Sequence, residues 1–336
     1  MDVSLEETFI CVVDEAGETV WRGKRKSDPK SILPVVRKRA PQLVKMGFEA
    51  GPLSTWFWHE FTQMGLPAVC LDARQAKAAL SMQVNKTDAN DAMGLAQIVR
   101  TGWYREVRVK SMESHVVRSL LAVRSQLVGM HTRLCNQLRG ILKTFGLVVG
   151  KVRGRGFEAR VLELCAGRVE LQGVIDSSLA VIDAIDDQLA ALDRTLSGFA
   201  RESEVCRLMM TVPGVGPVTA AAFMAAVDDP HRFRRSSDVG AYFGLTPRRY
   251  QSGEVDRSGR ISKCGDKRVR SYLYEAAGVL LTRVGKWSKL KAWGIRLAVR
   301  VGLRKAKVAV ARKLAVILYR IWTDGREFQW GKAPSA

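Results

Sequence analysis

The chain has 336 residues, a hydrophobic content of 47% and a formal net charge of +21 at pH 7. This length accommodates two or three domains, and the apolar content excludes wholesale disorder. The 54 Lys and Arg residues against 33 Asp and Glu residues indicate a polyanionic partner, most often nucleic acid. The longest smooth apolar run, VTAAAFMAAV, has ten residues, so we expect no membrane-spanning helix and no membrane partner.

Residues 1–110 alternate between strand-like and helix-like segments. ETFICVVDEAGETVWRGKR predicts a β-hairpin, SILPVVRKRAPQLV a helix with an internal proline, and MGFE a short apolar strand. LSTWFWHEFTQMG predicts a helix, LPAVCLD a buried strand, and ARQAKAALSMQ and DANDAMGLAQIVRTG two further helices. A hairpin followed by strands that alternate with helices predicts a mixed α/β domain over residues 1–110.

Two long heptad patterns follow, which predict a coiled-coil helical segment over residues 111–205. The first runs through positions 116, 120, 123, 127, 130, 134, 137 and 141, with one polar exception. The second runs through positions 175, 178, 182, 185, 189, 192, 196 and 199, again with one exception. The Gly-rich stretch GLVVGKVRGRGFE joins them. The two helices pair either within one chain or between chains, and the pattern leaves both options open.

A third part, residues 206–330, begins with the turn VPGVGP, in which Gly214 and Gly216 precede a helical segment. Such a turn either resembles the hairpin of a helix-hairpin-helix that binds a DNA phosphate or acts only as a packing element. The basic charge is concentrated downstream: residues 234–320 carry 22 Lys and Arg against 5 Asp and Glu. We expect nucleic-acid contacts from Gly214, Gly216, Arg248, Arg249, Arg260, Lys263, Lys267, Arg268 and Arg270, although each loop charge has a solvated alternative.

The six cysteines are scattered without a CxxC pair, and the four histidines form no zinc-finger pattern. We therefore expect reduced, mostly buried thiols. The start MDVSLEETF has neither a basic n-region nor an apolar h-region, so we expect no signal peptide. Together these features predict a cytoplasmic protein associated with the nucleoid.

The segment NKTDANDA places Asp88 and Asp91 about one helical turn apart. One interpretation is an ordinary helix start, in which Thr87 caps the helix and the acids face its positive end. The other is a metal site completed by Asp2, at the head of the first strand, and by Glu49, at the end of MGFE. Four carboxylates without His or Cys form an all-oxygen site suited to Mg²⁺ or Mn²⁺, and acids so ordered converge in RNase H-like folds.

Five motifs occur in one order along the chain: DVSLE, GFEAGPLS, NKTDANDA, VPGVGPVTA and GLTPRRYQSG…ISKCGDKRVRSYL. Together they resemble the DEDD transposases of the insertion-sequence family one-ten, which is related to the pilin-gene invertases. The resemblance covers nearly the whole chain. It implies an RNase H-like (RuvC-like) domain, a coiled-coil middle and a helical C-terminal transposase domain.

The resemblance also implies a site and partners. The acidic tetrad of the family falls on Asp2, Glu49, Asp88 and Asp91, and its nucleophilic serine falls on Ser252, with Ser262 as the second candidate. The implied enzyme is a recombinase that cuts and rejoins donor and target DNA through a phosphoserine, with a noncoding bridge RNA as its guide. Strand exchange needs several active sites, so we expect a homo-oligomer, a dimer or a tetramer on DNA.

One feature departs from the family pattern. Members carry several apolar residues before the first Asp, whereas here only Met1 precedes Asp2. We expect either a start further upstream or a frayed first strand. Two other functions fit the residues: a metal-dependent junction-resolving nuclease, which needs no Ser252, and a non-catalytic nucleic-acid-binding protein.

Overall fold

A computed structural model describes residues 1–81, 85–154 and 156–331 of the chain. It is mostly helical and divides into two compact units, Met1–Lys110 and Ser111–Ala336. Residues 82 and 83, predicted as the end of the helix ARQAKAALSMQ, lie outside the described residues. So does Arg155 in the Gly-rich connection.

In the described part of the N-terminal unit, five strands form two hydrogen-bonded groups. Strands β1 (Asp2–Val3), β2 (Glu7–Val13) and β3 (Thr19–Lys26) pair antiparallel in the order β1-β2-β3. Strands β4 (Met46–Glu49) and β5 (Ala68–Leu71) pair parallel. The hairpin and both later strands were predicted from the sequence, and the structure confirms them.

The short strand β1 also lies beside β4. The α-amino group of Met1 donates a hydrogen bond of 2.8 Å to the carbonyl oxygen of Gly47. Only 5% of Met1 is exposed, and burial lowers the pKa of this amino group to about 6. The first strand is therefore held at its first residue, and the prediction that it is frayed is wrong.

Among the described residues, four helices complete the N-terminal unit, and side chains cap three of them at their starts. Asp28 caps α1 (Pro29–Arg39) and Asp72 caps α3 (Ala73–Leu80) through side-chain bonds to backbone N–H groups. Helix α2 (Ser54–Gln63) and helix α4 (Asp88–Thr101) follow the predicted segments. Together with the strands they enclose an apolar core of large buried side chains, which includes Ile10, Ile32, Phe48, Phe57 and Phe61.

The second unit begins with a long helical hairpin made of α5 (Met112–Thr144) and α7 (Gln172–Glu202). The two helices pack against each other within one chain and run antiparallel. On α7 four positions of the predicted heptad are buried, namely Ile175, Ile182, Ile185 and Leu196. A coiled-coil geometry of this hairpin stays a prediction.

The heptad predicted on α5 is wrong by one residue. Val116 and Val123 of the predicted series are 60% and 52% exposed. The buried side chains instead lie one position later, at Val117, Leu121, Cys135, Leu138 and Leu142.

The same later series contains two charged or ionisable residues in its middle. Arg124 donates two hydrogen bonds, of 2.5 and 3.2 Å, to the carboxylate of Asp193 on α7. His131 lies 3.3 Å from the carboxylate of Asp186, also on α7. A salt bridge and a histidine–carboxylate contact thus replace apolar contacts at the centre of the hairpin, which is why the polar residues concealed the true series in the sequence.

The rest of the second unit packs helices around one large apolar core. Helix α9 (Pro217–Val227) is apolar on all sides and is accordingly buried. It contacts α11 (Lys267–Thr282) and the two ends of the α5–α7 hairpin nearest to it, while α13 (Leu303–Asp324) covers α11. The remaining helices are α6 (Gly156–Leu164), α8 (Glu204–Met210), α10 (Asp238–Tyr242) and α12 (Lys289–Val301), with short 3-10 turns at Val169–Leu171 and Pro230–Arg232.

An antiparallel ribbon of two strands, β6 (Pro247–Ser252) and β7 (Val255–Ile261), precedes α11. Every residue of β6 is exposed, as is all of β7 except Ile261. The ribbon therefore lacks a core of its own and relies on backbone hydrogen bonds and cross-strand side-chain pairs.

The turn VPGVGP joins α8 to α9 and packs against α11. Gly214 has a φ of +89°, and a Cβ at this position would overlap the carbonyl oxygen of Ala276. Val212 and Val215 on either side are buried. These contacts support the packing interpretation of the turn, and a helix-hairpin-helix contact to phosphate stays a prediction.

Two expectations about the whole chain can be compared with the described residues. Four of the six cysteines are buried, namely Cys70, Cys135, Cys165 and Cys206, and all six are free thiols. In the part of the chain that the structure describes, no helix combines the length and apolarity needed to cross a bilayer.

The two glycines of the turn should respond very differently to an added methyl group. Gly214→Ala introduces both a strained φ and an overlap with Ala276, so we expect the free energy of unfolding to fall by about 2–3 kcal/mol. Gly216 has a φ of −104° and nothing near its missing Cβ, so Gly216→Ala should cost less than about 1 kcal/mol. Denaturant titration of both variants measures the difference, and equal losses would contradict the packing role of Gly214.

Candidate active site

Helix α4 places two carboxylates in its first turn. The Thr87 side chain accepts a hydrogen bond of 3.2 Å from the backbone N–H of Asn90 and so caps the helix. Asp88 and Asp91 follow in that turn, where the positive end of the helix dipole favours negative charge. The capping interpretation is thus confirmed. This interpretation is compatible with a metal site, because the cap fixes the start of the helix and therefore the positions of Asp88 and Asp91 on it.

Asp2 and Glu49 lie within electrostatic reach of these two acids. Burial raises the pKa of the Asp2 carboxyl, and the negative charges of Asp88 and Asp91 raise it further. Burial likewise raises the pKa of Glu49, with further contributions from Asp2 and Asp91. Lys86 opposes both shifts. The structure therefore brings the four predicted acids into one electrostatically coupled group.

The donor chemistry of this group fits a hard divalent cation, because all four side chains offer carboxylate oxygens. Their mutual repulsion fits as well, since a cation between them would remove it. The spacing of the four carboxylates, however, is not that of a coordination site. Among the residues that the structure describes, no group of three or more Asp, Glu, His or Cys side chains lies close enough together to hold a metal ion.

Ser252 lies in the second unit, at the tip of the β6–β7 ribbon. It pairs with Val255 across a two-residue connection, Gly253-Glu254, and Gly253 has a φ of +57°. Such a connection is typical of tight hairpins, in which glycine tolerates the left-handed conformation. The Ser252 side chain is exposed, so a large substrate reaches it without any rearrangement of the core.

The second candidate serine occupies a different environment at the base of the ribbon. The Ser262 backbone N–H donates to the carbonyl oxygen of Thr246, and its own carbonyl accepts from Arg248 at 3.2 Å. The Ser262 hydroxyl accepts from the backbone N–H of Cys264 at 3.4 Å. Ser262 is thus part of the junction between the ribbon and the helical core, and it is less exposed than Ser252.

The basic residues predicted to bind phosphates differ in how far they are already engaged. Arg249 makes a two-pronged ion pair with Asp256 across the ribbon, at 2.8 and 2.5 Å. Arg248 bonds to the backbone of the ribbon base, as described above. Arg260 and Lys263 are exposed, and Lys263 has a φ of +57°.

Of the three basic residues at the start of α11 that were predicted to contact nucleic acid, only Lys267 is exposed. Arg268 is half-buried. Arg270 is also half-buried and donates to the carbonyl oxygens of Phe243, at 3.1 Å, and of Cys264, at 2.6 Å. The guanidinium of Arg270 therefore fastens the loop after the ribbon to the core.

Two residues that the sequence prediction omitted flank Ser252. Tyr250 precedes it by two positions on β6, and Arg257 pairs with Tyr250 across the ribbon. Side chains alternate between the two faces of a strand, and this period of two could have identified both residues. Such a prediction also needs the position of the turn at Gly253-Glu254, because a register shift of one residue reverses the faces.

Comparison with known proteins places this chain in a family. Residues 1–146 match the DEDD transposase model of the IS110 group, described as "Transposase", and residues 206–292 match the model described as "Transposase IS116/IS110/IS902 family". The chain is 33% identical over 247 residues to the "Probable family 20 transposase" of Pseudomonas aeruginosa, covering 70% of this chain and 72% of that protein. The chain belongs to the IS110 family of insertion-sequence transposases.

Two other relatives extend this result. The chain is 29% identical over 336 residues to the "Transposase for insertion sequence element IS1111A" of Coxiella burnetii, covering 98% of this chain and 91% of that protein. A shorter match, 28% identical over 123 residues, joins 36% of the chain to 38% of the "Pilin gene-inverting protein" of Moraxella bovis. The relationship predicted from the motifs is therefore confirmed, and the chain is a transposase, an enzyme that cuts and rejoins DNA.

The two family matches divide the candidate residues of the IS110-family transposase between them. The DEDD match contains all four coupled acids, Asp2, Glu49, Asp88 and Asp91, whereas the second match contains Ser252 and the β6–β7 ribbon. The acids thus belong to the first unit and the serine to the second.

The raised pKa values predict how the acids affect folding when no divalent cation is present. A carboxyl whose pKa is raised by folding destabilises the fold at neutral pH, and this effect disappears as the pH falls through the raised value towards the ordinary one. Asp2→Asn should therefore raise the melting temperature at pH 7 in EDTA, by about 1–4 °C. The gain should shrink as the pH approaches 4. Glu15→Gln, at an exposed position of the same unit, is the control, and an equal gain there would contradict the coupling.

Proposed function

We propose that the IS110-family transposase transfers DNA strands by two sets of groups, a carboxylate-bound metal site in an RNase H-like unit and the Ser252 nucleophile. The observation that carries the proposal is the coupled group of Asp2, Glu49, Asp88 and Asp91, whose carboxyls repel one another in a half-buried place. Such a cluster of carboxyls raises the free energy of the folded state unless a cation neutralises it, and clusters of this kind are typical of functional sites.

The strand arrangement supports the RNase H-like (RuvC-like) fold. The antiparallel group β3-β2-β1 and the parallel pair β4-β5 meet where Met1 donates to Gly47. In this arrangement Asp2 begins the strand next to the one that Glu49 ends, and α4 contacts both strands. Three elements therefore supply the four acids, as they do in RNase H-like folds.

The metal in this proposal is Mg²⁺ or Mn²⁺, held by Asp2, Glu49, Asp88 and Asp91. When bound, such ions polarise a phosphate and ease the loss of a proton from the attacking oxygen.

Ser252 carries the covalent part of the reaction. Its hydroxyl loses a proton to a base, Oγ forms a bond to phosphorus, and the leaving DNA oxygen departs and takes up a proton. The phosphodiester is replaced by a phosphoserine of similar energy, so the cut strand remains available for rejoining. The exposed tip of the ribbon suits this role because both the DNA backbone and a second strand must reach the same atom.

The partners in the proposal are donor DNA, target DNA and a noncoding bridge RNA that pairs with both. The surplus of positive charge in residues 234–320 supports contact with such polyanions. We place the reaction in the cytoplasm, at the nucleoid.

The transposase is proposed to act as a homo-oligomer, a dimer or a tetramer on DNA, because strand exchange needs several Ser252 groups. Val116 and Val123 of the predicted α5 series are exposed in the single chain and are available for such an association.

A covalent-trapping assay tests the nucleophile. The protein is mixed with the noncoding RNA of its element, labelled donor and target DNA, and Mg²⁺, and is then run on a denaturing gel. We expect a labelled DNA–protein adduct that Ser252→Ala reduces by at least about 10³-fold, because no other hydroxyl takes the place of Oγ. Asp88→Asn should also abolish it.

Ser258→Ala is the matched control, since Ser258 is an exposed serine on the neighbouring strand of the same ribbon. Its adduct should equal that of the unaltered protein. An adduct that survives Ser252→Ala moves the nucleophile to Ser262 or elsewhere. Free cut DNA without an adduct identifies a junction-resolving nuclease, and binding without any cutting identifies a non-catalytic protein.

Metal binding is tested without activity, by thermal unfolding in EDTA and in excess Mg²⁺. At a concentration 100 times its Kd, a ligand that binds only the folded state stabilises it by about 2.7 kcal/mol. We expect a rise in melting temperature for the unaltered transposase that is lost in Asp91→Asn and retained in Glu15→Gln. A rise of the same size in all three proteins would place the ion outside the carboxylate group.

A further inference from the structure

The register of the β6–β7 ribbon assigns its side chains to two faces. Cross-strand partners in an antiparallel ribbon share a face, and the faces alternate along each strand. Tyr250 pairs with Arg257 and Ser252 pairs with Val255, so these four lie on one face, which we call the serine face. Gln251 pairs with Asp256, and Arg249 pairs with Ser258, so these lie on the opposite face.

The observed ion pair confirms this division. The guanidinium of Arg249 reaches Asp256 at 2.8 and 2.5 Å, which requires both side chains to project from the same side of the ribbon. Beyond Ser258 the register shifts, so Arg260 is assigned to neither face. The opposite face therefore holds Arg249, whose charge is neutralised by a carboxylate.

On the serine face the positive charge comes from Arg257. It is the diagonal neighbour of Ser252, because Val255, the partner of Ser252, precedes it by two positions on β7. Diagonal neighbours lie about 7–8 Å apart at the backbone, a gap that an arginine side chain spans. Within the described residues Arg257 makes no hydrogen bond or ion pair, and both it and Ser252 are exposed.

We propose that Arg257 binds the scissile phosphate at Ser252, and that the exposed ring of Tyr250 flanks this contact. The inference rests on the proposed function of Ser252. Arginine matches phosphate geometry with two parallel N–H donors. When Oγ attacks, negative charge grows on the non-bridging oxygens, and a guanidinium beside the nucleophile stabilises that charge.

Other basic residues of the region are less suited to this task. Arg249 is paired with Asp256, Arg270 is bonded to backbone carbonyls, and Arg248 is bonded to the carbonyl of Ser262. Arg260 is exposed but lies beyond the register shift, three positions further along β7 than Arg257. Position relative to Ser252, rather than charge alone, selects Arg257.

The first test compares the rate of adduct formation in Arg257→Ala, Arg257→Lys and Arg194→Ala. Loss of one donor that stabilises a developing oxyanion reduces a rate by about 10²–10³-fold, and we expect a reduction of this size in Arg257→Ala. Arg257→Lys keeps the charge and should recover part of the rate. Arg194→Ala removes the same charge from an exposed position of α7, outside the residues predicted to bind nucleic acid, and should stay within about threefold of the unaltered protein.

The second test replaces the scissile phosphate by a methylphosphonate, which carries no charge. The rate ratio between the unaltered protein and Arg257→Ala should then fall below about fivefold, since there is no longer a charge for the guanidinium to neutralise. A ratio that stays as large as on the phosphate assigns Arg257 a structural role and overturns the proposal. If neither protein reacts with the neutral group, the rate of Arg257→Lys on the normal phosphate replaces this comparison. Partial recovery then supports the contact with the phosphate, and no recovery overturns it.

The outcomes separate this inference from the proposed function. If the unaltered protein forms no Ser252-dependent adduct, the function assigned to Ser252 fails first. If the adduct forms and Arg257→Ala matches Arg194→Ala in rate, only the role of Arg257 is overturned.

Discussion

The close approach of three elements at Gly47 is the constraint on which the N-terminal site depends. The Gly47 carbonyl accepts the Met1 amino group and so draws strand β1 against β4. A Cβ on Gly47 would overlap the side chain of Val99 on α4, so its absence admits that helix to the sheet. Glu49 lies two residues further along β4, Asp2 begins β1, and Asp88 begins α4. A single glycine therefore determines the distances between the three elements that carry the acids.

This packing has an electrostatic cost that the fold does not remove. Strand β1 is desolvated where it lies between its neighbours, and burial is accordingly the largest cause of the raised pKa values of Asp2 and Glu49. The positive charge of Lys86 opposes the shifts of both groups. A net charge of +21 gives little relief here, because surface charges beyond about 10 Å are screened. The excess charge therefore serves the polyanion partners rather than the acids.

The sequence predicted the order and type of the N-terminal elements because each one carries a local signal. Alternation of apolar residues marks β2, and capping residues such as Asp28 and Thr87 mark the helix starts. The α5 heptad lacked such a marker. Two adjacent series have the same spacing, and the pattern favours the more apolar one, which runs through Val116 and Val123. The true series includes Arg124 and His131, whose partners Asp193 and Asp186 lie some 55 to 69 residues away, a distance over which local patterns carry no information.

The same limit separates the predictable from the unpredictable parts of the candidate site. Short motifs place the acids and Ser252 as candidates, whereas the state of each arginine depends on tertiary contacts. Arg249 and Arg257 are both exposed arginines in the same ribbon, yet Asp256 forms an ion pair with Arg249 and not with Arg257. That difference follows from the alternation of faces, because Asp256 shares a face with Arg249 and not with Ser252. In the proposed mechanism a carboxylate on the serine face would repel the DNA phosphate, whereas Asp256 on the opposite face stabilises the ribbon.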